Sequence, residues 1–266
     1  MNRNEDRYTR FALVREMLET ADIVRKLDTG LIADIGVQSD TVFLTGEGSS
    51  RIFPAKNLIA SALRRGGPFA IATQGGDEAC EYDLSARSVY VASNSGRTAE
   101  VVRLLRKLRS EGHRDITGIT TAADSPVATE SHRSYVLTCG SEKAVAATKS
   151  VMEQALFYDL LFRATEGARI PDLALLGETI ESALTAEMPP EITDRLVNSP
   201  VVYFAGRNNG VAEELALKTN EITRKKSAYL EGSFAVHGIE EVMESAETVV
   251  VVDPFPEEEE KFDEVL

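Results

Sequence analysis

Five short apolar runs, at 41–45, 69–73, 88–92, 115–120 and 135–138, alternate with stretches whose apolar residues recur at helical spacing, at 53–65, 98–111 and 144–162. This rhythm narrows the fold more than any other feature. Short runs that are apolar throughout suit strands buried on both faces. Strands that alternate with helices imply a doubly wound parallel α/β sheet, here of five strands flanked by helices. Ahead of it, Phe11, Val14, Met17, Leu18, Ile23 and Leu27 repeat at helical spacing, so residues 1–35 are read as N-terminal helices and 36–168 as the first domain.

A second unit is expected after the turn at 167–171. It reads as helices over about 172–198, a strand at 201–205, a long helix near 210–226 and a strand at 248–252. VFLTGEGSS at 42–50 and VVYFAGRNN at 201–209 look like copies of one strand-then-glycine pattern. The second copy shows two clear strands, and a two-stranded pair leaves much backbone and apolar surface unsatisfied. Residues 169–266 are therefore expected to be a second α/β unit, truncated before completion.

Charge excludes several functions. The net charge is -14, with no basic stripe, which argues against nucleic acid as a partner. A spread acidic surface suits an acidic proteome in a salty cytoplasm, where salt screens the repulsion. No apolar run is long enough for a membrane span, and MNRNEDRYTR is too polar for a signal peptide. A cytoplasmic location is the expectation. Cys80 and Cys139 stand alone and read as small core residues, and the histidines are only His113, His132 and His237. No metal site or cofactor is expected.

Three segments share one design, in which a strand ends, small or hydroxylated residues follow, and a helix begins. They are FLTGEGSSRI at 43–52 (Gly46, Gly48, Ser49, Ser50), VYVASNSGRTAE at 89–100 (Ser93, Asn94, Ser95, Thr98) and GSEKAVAATKS at 140–150. In open α/β sheets ligands bind beyond the carboxyl ends of the strands, at the switch point of strand order. Helix N-termini there hold anions through unpaired N–H groups and the helix dipole. Dense Ser and Thr would supply a phosphate dianion with donors. For any one loop, hydroxyls before a helix also read as ordinary N-caps, each worth about 1 kcal/mol. Gly46-x-Gly48 lacks the third glycine of a dinucleotide fingerprint, and no GxxxxGK[ST] is present. The 93–98 segment is the most specific signal, with four uncharged polar side chains (Ser93, Asn94, Ser95 and Thr98) in six positions.

A second constellation lies at 212–238. Glu214, Lys218 and Glu221 fall at i, i+4 and i+7 of a helix, hence on one face. That pattern reads equally as a surface ion-pair ladder. His237 follows soon after. Carboxylate and imidazole together are what aldose–ketose isomerisation needs, one group opening the sugar ring and another carrying a proton between C1 and C2.

These residues resemble the SIS (sugar isomerase) domain family, especially the isomerase half of glucosamine-6-phosphate synthase and related sugar-phosphate isomerases and deaminases. The likeness runs from about residue 40 to the end. SNSGRT at 93–98 resembles the family's phosphate loop SQSGET, and Gly48-Ser49-Ser50 its GTS loop. EKAVAATK at 142–149 resembles EIGVASTK, which places Val145 and Ala147 at sugar-contact positions. ELALKTNE at 214–221 resembles EGALKLKE. The resemblance implies Glu221 as the C1–C2 proton-transfer base, Glu214 and Lys218 as its supporting charges, and His237 as the ring-opening histidine. In the family that histidine crosses a dimer, so a homodimer is implied.

Four departures stand out. Ala147 replaces a serine, Ile239 replaces a proline, and no glutaminase domain is present. The family's Schiff-base lysine near the C-terminus also has no counterpart, and Lys261 does not substitute for it. The expectation is a truncated chain or a shortened member. The functions in view are a cofactor-free isomerase or deaminase acting on a hexose or hexosamine 6-phosphate, a non-catalytic sugar-phosphate-binding or regulatory module, and a ligand-free scaffold.

Overall fold

The computed structural model describes residues 1–2 and 4–265 and divides into two compact units, Met1–Ala186 and Glu187–Leu266. The first unit opens with α1 (Asp6–Thr9), α2 (Ala12–Arg25) and α3 (Thr29–Ala33). Next come β1 (Thr41–Thr45), α4 (Ile52–Arg65), β2 (Ala70–Gln74), α5 (Gly76–Ala79), β3 (Ser88–Ala92), α6 (Ala99–Ser110), β4 (Ile116–Thr120), α7 (Pro126–Glu130) and β5 (Arg133–Val136). It closes with α8 (Lys149–Glu166) and α9 (Leu173–Thr185). The five strands pair in parallel in the order β2-β1-β3-β4-β5.

Alternation along the strands explains the two layers of helices. Val42, Leu44, Tyr90 and Ala92 face one core, with Leu58, Phe157, Tyr158 and Phe162. Phe43, Val89 and Val91 face the other, with Val101, Leu104 and Leu105. Both faces of β1 and β3 are thus dry, and that is why these strands read as continuous apolar runs. The chain runs outward from β1 to β2, then returns to place β3 on the other side of β1. Strand order therefore reverses between β1 and β3, where the first two hydroxyl-bearing loops emerge.

Two expectations change here. The helix expected from 144 begins at Lys149, because residues 140–148 are held as a loop by carboxylates. The boundary expected at 168/169 falls after Ala186. α9 lies against α2 so closely that a Cβ on Gly177 would stand 2.5 Å from Arg25 Cγ and 2.9 Å from the Ala21 carbonyl. Arg25 also pairs with Glu181 at 2.6 Å. The N-terminal helices and α9 are accordingly parts of the first unit rather than segments outside it.

The second unit comprises α10 (Pro190–Asn198), β6 (Val201–Gly206), α11 (Val211–Lys218), β7 (Lys226–Glu231), β8 (Thr248–Val252) and α12 (Glu259–Val265). Its strands are parallel in the order β7-β6-β8. Two strands were expected, and the structure has three. The α-helix expected to run to residue 226 stops at Lys218, passes through a π-helical turn over Thr219–Thr223, and reverses at Arg224, whose φ is 58°. The chain then enters β7 at Lys226, where the helix was expected to end and no strand was expected to begin. Among the described residues no helix is long and apolar enough to cross a membrane.

Candidate functional site

The switch point brings the first two loops against each other. A Cβ on Gly46 would lie 2.7 Å from the Ser50 carbonyl and 3.0 Å from the Ala92 carbonyl, so only glycine lets the β1 loop rest on the end of β3. Gly48 takes a left-handed φ of 52° and opens a 3-10 turn over Gly48–Ser50. Gln154 Nε2 on α8 donates to the Ser50 carbonyl at 2.7 Å, and Glu47 accepts from Gly76 N at 2.6 Å. Ser49 is buried. Its Oγ and the Thr45 Oγ1 have no hydrogen-bond partner among the described residues.

The 93–98 loop wraps the start of α6. Ser93 Oγ and Thr98 Oγ1 are 2.7 Å apart, Ser95 Oγ accepts from Arg97 N at 3.2 Å, and Gly96 N donates to the Ser93 carbonyl at 2.9 Å. Gly96 has a φ of 64°, and a Cβ there would meet Ser125 Oγ at 1.9 Å. Thr98 occupies the N-cap position of α6, yet its side chain makes no cap bond. The ordinary capping role does not account for this threonine. Asn94 is pinned through its carbonyl, which accepts from Thr120 Oγ1 at 3.0 Å and Thr121 Oγ1 at 2.9 Å, and its Nδ2 donates to Glu142 at 3.1 Å. Asn94 Oδ1 is buried without a partner among the described residues. Ser93 is buried, Ser50, Asn94 and Thr98 are half-buried, and Gly48 and Ser95 are exposed.

The third loop differs from expectation. Its amides were read as donors for a bound anion, but the chain's own carboxylates take them. Glu142 accepts from Thr148 N at 2.6 Å, Thr148 Oγ1 at 2.9 Å and Lys149 N at 3.0 Å, and also from Ser150 Oγ. A carboxylate is thus already seated at the N-terminus of α8, where the helix dipole favours it. Glu16 on α2 accepts from Lys143 N at 2.6 Å and Ala144 N at 3.1 Å. Glu153, fully buried, takes Thr138 N and Cys139 N at 2.7 Å each. Val145 stands exposed at the tip, and Ala147 is half-buried. Burial and the Glu153 charge push the Cys139 thiol far above its usual range, which makes it inert. The roles of Glu16, Glu142 and Glu153 were not read from the sequence. The one available signal was Glu142 placed six residues before Thr148, where a carboxylate can fold back onto a helix start.

In the second unit Lys218 sits between two carboxylates, 3.5 Å from Glu214 and 2.8 Å from Glu221. The i, i+4, i+7 reading therefore survives the change from α- to π-helical backbone. Asn220 holds the turn to β7, donating to the Ser227 carbonyl at 3.1 Å and accepting from Ser227 N at 2.9 Å. The Glu221 side chain is 36% exposed, whereas that of Glu214 is 13% exposed. His237 follows a 3-10 turn over Phe234–Val236, and its Nε2 lies 3.2 Å from Lys261 Nζ. No hydrogen bond described here joins His237 to Glu221. Among the described residues no group of three His, Cys, Asp or Glu is placed to hold a metal.

Comparison with known proteins adds the lineage. Residues 37–164 match the SIS domain family. The glutamine–fructose-6-phosphate aminotransferase (isomerizing) of Staphylococcus aureus strain Mu50 is 30% identical over 182 residues, which cover 64% of this chain and 30% of that protein. The enzyme of the same name from Oceanobacillus iheyensis is 29% identical over 184 residues, with the same coverage of 64% and 30%. The chain thus spans about 30% of the length of the curated relatives it matches. Among solved structures, glucosamine-6-phosphate deaminase from Thermotoga maritima superposes with a TM-score of 0.76 at 22% identity, covering 96% of this chain and 81% of that one. The C-terminal domain of glucosamine-fructose-6-phosphate aminotransferase from Francisella tularensis gives a TM-score of 0.73 at 20% identity, covering 97% and 80%. Tagatose-6-phosphate ketose/aldose isomerase from Escherichia coli gives 0.74 at 16% identity, covering 91% and 73%. At these identities the superpositions speak for the fold alone. Strand order, switch-point loops and family match agree, and the chain carries a domain of the SIS family at residues 37–164.

Proposed function

We propose that this chain is a sugar-phosphate isomerase or deaminase, and that its substrate is a hexose or hexosamine 6-phosphate. The observation that carries the reading is the surplus of polar atoms at the switch point. Ser49 Oγ, Thr45 Oγ1 and Asn94 Oδ1 are buried without partners among the described residues, and Thr98 leaves its cap bond to α6 unmade. A buried polar atom left unsatisfied costs about 1–3 kcal/mol. A phosphate offers acceptors to the hydroxyls, and a sugar hydroxyl offers a donor to Asn94 Oδ1. On this reading Gly48, Ser49, Ser50, Ser93, Asn94, Ser95 and Thr98 hold the phosphate, and Val145 and Ala147 meet the sugar. The names of the structural neighbours and curated relatives point to the same substrate class.

The proton transfers are assigned to the second unit. His237 protonates the ring oxygen as the sugar opens. In the aldose-to-ketose direction Glu221 takes the proton from C2, leaving an enediolate, and returns it to C1 as the O2 hydroxyl proton moves to O1; the reverse direction retraces these steps. Lys218 fixes the Glu221 carboxylate at 2.8 Å, with Glu214 behind it. With an amino group at C2, the same transfer leaves an imine that water hydrolyses to a ketone and ammonia. A homodimer and a cytoplasmic location belong to this proposal and rest on the resemblance.

Thermal shift with fructose 6-phosphate, glucosamine 6-phosphate and inorganic phosphate tests the substrate class, and ammonia release from glucosamine 6-phosphate separates deaminase from isomerase. Ser95→Ala and Thr98→Ala are expected to weaken a phosphorylated sugar about tenfold, a change of about 1.4 kcal/mol, and to leave the unphosphorylated sugar unaffected. Equal losses for both ligands would contradict the phosphate site.

A further inference from the structure

Glu16 is a carboxylate on an N-terminal helix, only 6% exposed. A buried carboxylate persists only where hydrogen bonds replace its water. Its described partners are two successive amides of the 140–148 loop, Lys143 N to Oε1 at 2.6 Å and Ala144 N to Oε2 at 3.1 Å. One turn further along α2, Glu19 pairs with Lys149 Nζ at 2.7 Å. From the loop's other side Glu142 holds Thr148 N and Lys149 N. Residues 145–147 are therefore suspended between two carboxylate clamps, with the Val145 side chain fully exposed. The loop also reaches the 93–98 segment, through Asn94 Nδ2 to Glu142 at 3.1 Å. Glu16 touches no part of that segment among its described contacts, so it bears on the loop alone.

We infer that Glu16 is a positioning residue for the sugar end of the site: it fixes the backbone of 145–147 without touching the ligand, while the phosphate end is built independently of it. The inference rests on the proposed function, since that reading is what places Val145 and Ala147 against a sugar. Only a carboxylate offers two equivalent acceptors to two neighbouring N–H groups. Glu16→Gln would turn an NH2 group toward one of them and lose that bond. If Glu16 served only to anchor α2, its loss would lower stability and treat every ligand alike. A positioning residue instead separates the ligands, because inorganic phosphate never reaches 145–147.

The test is calorimetric titration of the full chain and of Glu16→Gln with glucosamine 6-phosphate and with inorganic phosphate. The variant is expected to bind inorganic phosphate within about twofold of the unaltered chain and the sugar phosphate about tenfold more weakly. Parallel losses for both ligands, or unchanged sugar-phosphate affinity, would overturn the inference and leave the proposed function standing. Failure of the unaltered chain to bind either ligand would remove both. Should Glu16→Gln not fold, hydrogen exchange on the unaltered chain decides. The amides of Lys143 and Ala144 are expected to gain protection with glucosamine 6-phosphate and not with inorganic phosphate. Identical protection with the two ligands would overturn the inference.

Discussion

Glu221 stands where an α-helix gives way to a π turn, a local backbone form that frequently marks functional sites. Its neighbour Asn220 locks the turn to β7, so the carboxylate is presented by a braced segment rather than a fraying helix end. If Glu221 carries the proton between C1 and C2, Glu221→Gln removes the base but keeps shape and hydrogen-bonding reach. Turnover should fall at least about 100-fold, as expected for loss of a general base, while sugar-phosphate affinity stays within about threefold in calorimetry. Normal turnover in the variant would strike Glu221 from the mechanism. A residue with a different consequence is His132, at the β4–β5 side of the sheet. Its Nδ1 accepts from Ile116 N at 3.3 Å, and its Nε2 lies 3.0 Å from Arg109 Nη1. Burial, then the charges of Arg109, His113 and Arg133, hold the imidazole below its ordinary value despite the opposing pull of Asp115. The folded chain takes up this proton less readily than the unfolded chain. The stabilisation is complete above the unfolded pKa and declines as pH falls through it, roughly from pH 7 to pH 5. Melting temperatures should drop over that window, and His132→Asn should flatten the drop. An unchanged slope would show that the acid sensitivity lies elsewhere.

Strands buried on both faces were the most legible elements, because the centres of β1 and β3 lie between two cores and are apolar throughout. What misled the reading was backbone held by charged side chains. Residues 144–148 carry helix-forming alanines and look like the first turn of α8. Glu142 and Glu16 nevertheless bind the amides of 143, 144, 148 and 149, and the loop they impose defeats local propensity. β7 was hidden for a related reason. Only Leu230 of the strand is buried, and the helical charge pattern of α11 runs into it with no glycine or proline to mark the stop. Arg224 makes that stop in a left-handed conformation that non-glycine residues adopt seldom. Among the candidate residues, the Glu214–Lys218–Glu221 contact was legible because a π turn still leaves i and i+3 within reach. The Glu16 clamp was not, since it joins Glu16 to Lys143, 127 positions away. At the α2–α9 contact the structure makes a sharper demand. Gly177 sits where any side chain would strike Arg25 and the Ala21 carbonyl. Gly177→Val should force the helices apart and cost about 1–3 kcal/mol, in the range of overpacked cores, measured by urea unfolding. Unaltered stability would mean that α9 packs on α2 differently.

At the scale of the molecule the question is where one folding unit stops. The turn at 167–171 suggested residue 168, whereas packing extends the first unit through Ala186. The difference is testable because it assigns α9 to one unit or the other. Two fragments, 1–168 and 1–186, contain the same five-stranded sheet and the same switch-point loops. Only the longer one covers the α2 surface at Ala21 and keeps the Arg25–Glu181 pair. The same helix carries Glu16 and Glu19 on its other faces, so loosening its packing also weakens the support of the 140–148 loop. The 1–186 fragment should unfold in one cooperative transition and bind glucosamine 6-phosphate, and it should lack turnover because Glu221 is absent. The 1–168 fragment should melt about 5–10 °C lower, which for a unit of this size corresponds to a loss of roughly 2–3 kcal/mol. Equal melting temperatures would return α9 to the second unit. Turnover by 1–186 would take the proton-transfer base out of the second unit altogether and send the search for it back to the first sheet, where Glu47 lies within the first hydroxyl loop and Glu142 holds Asn94 of the second.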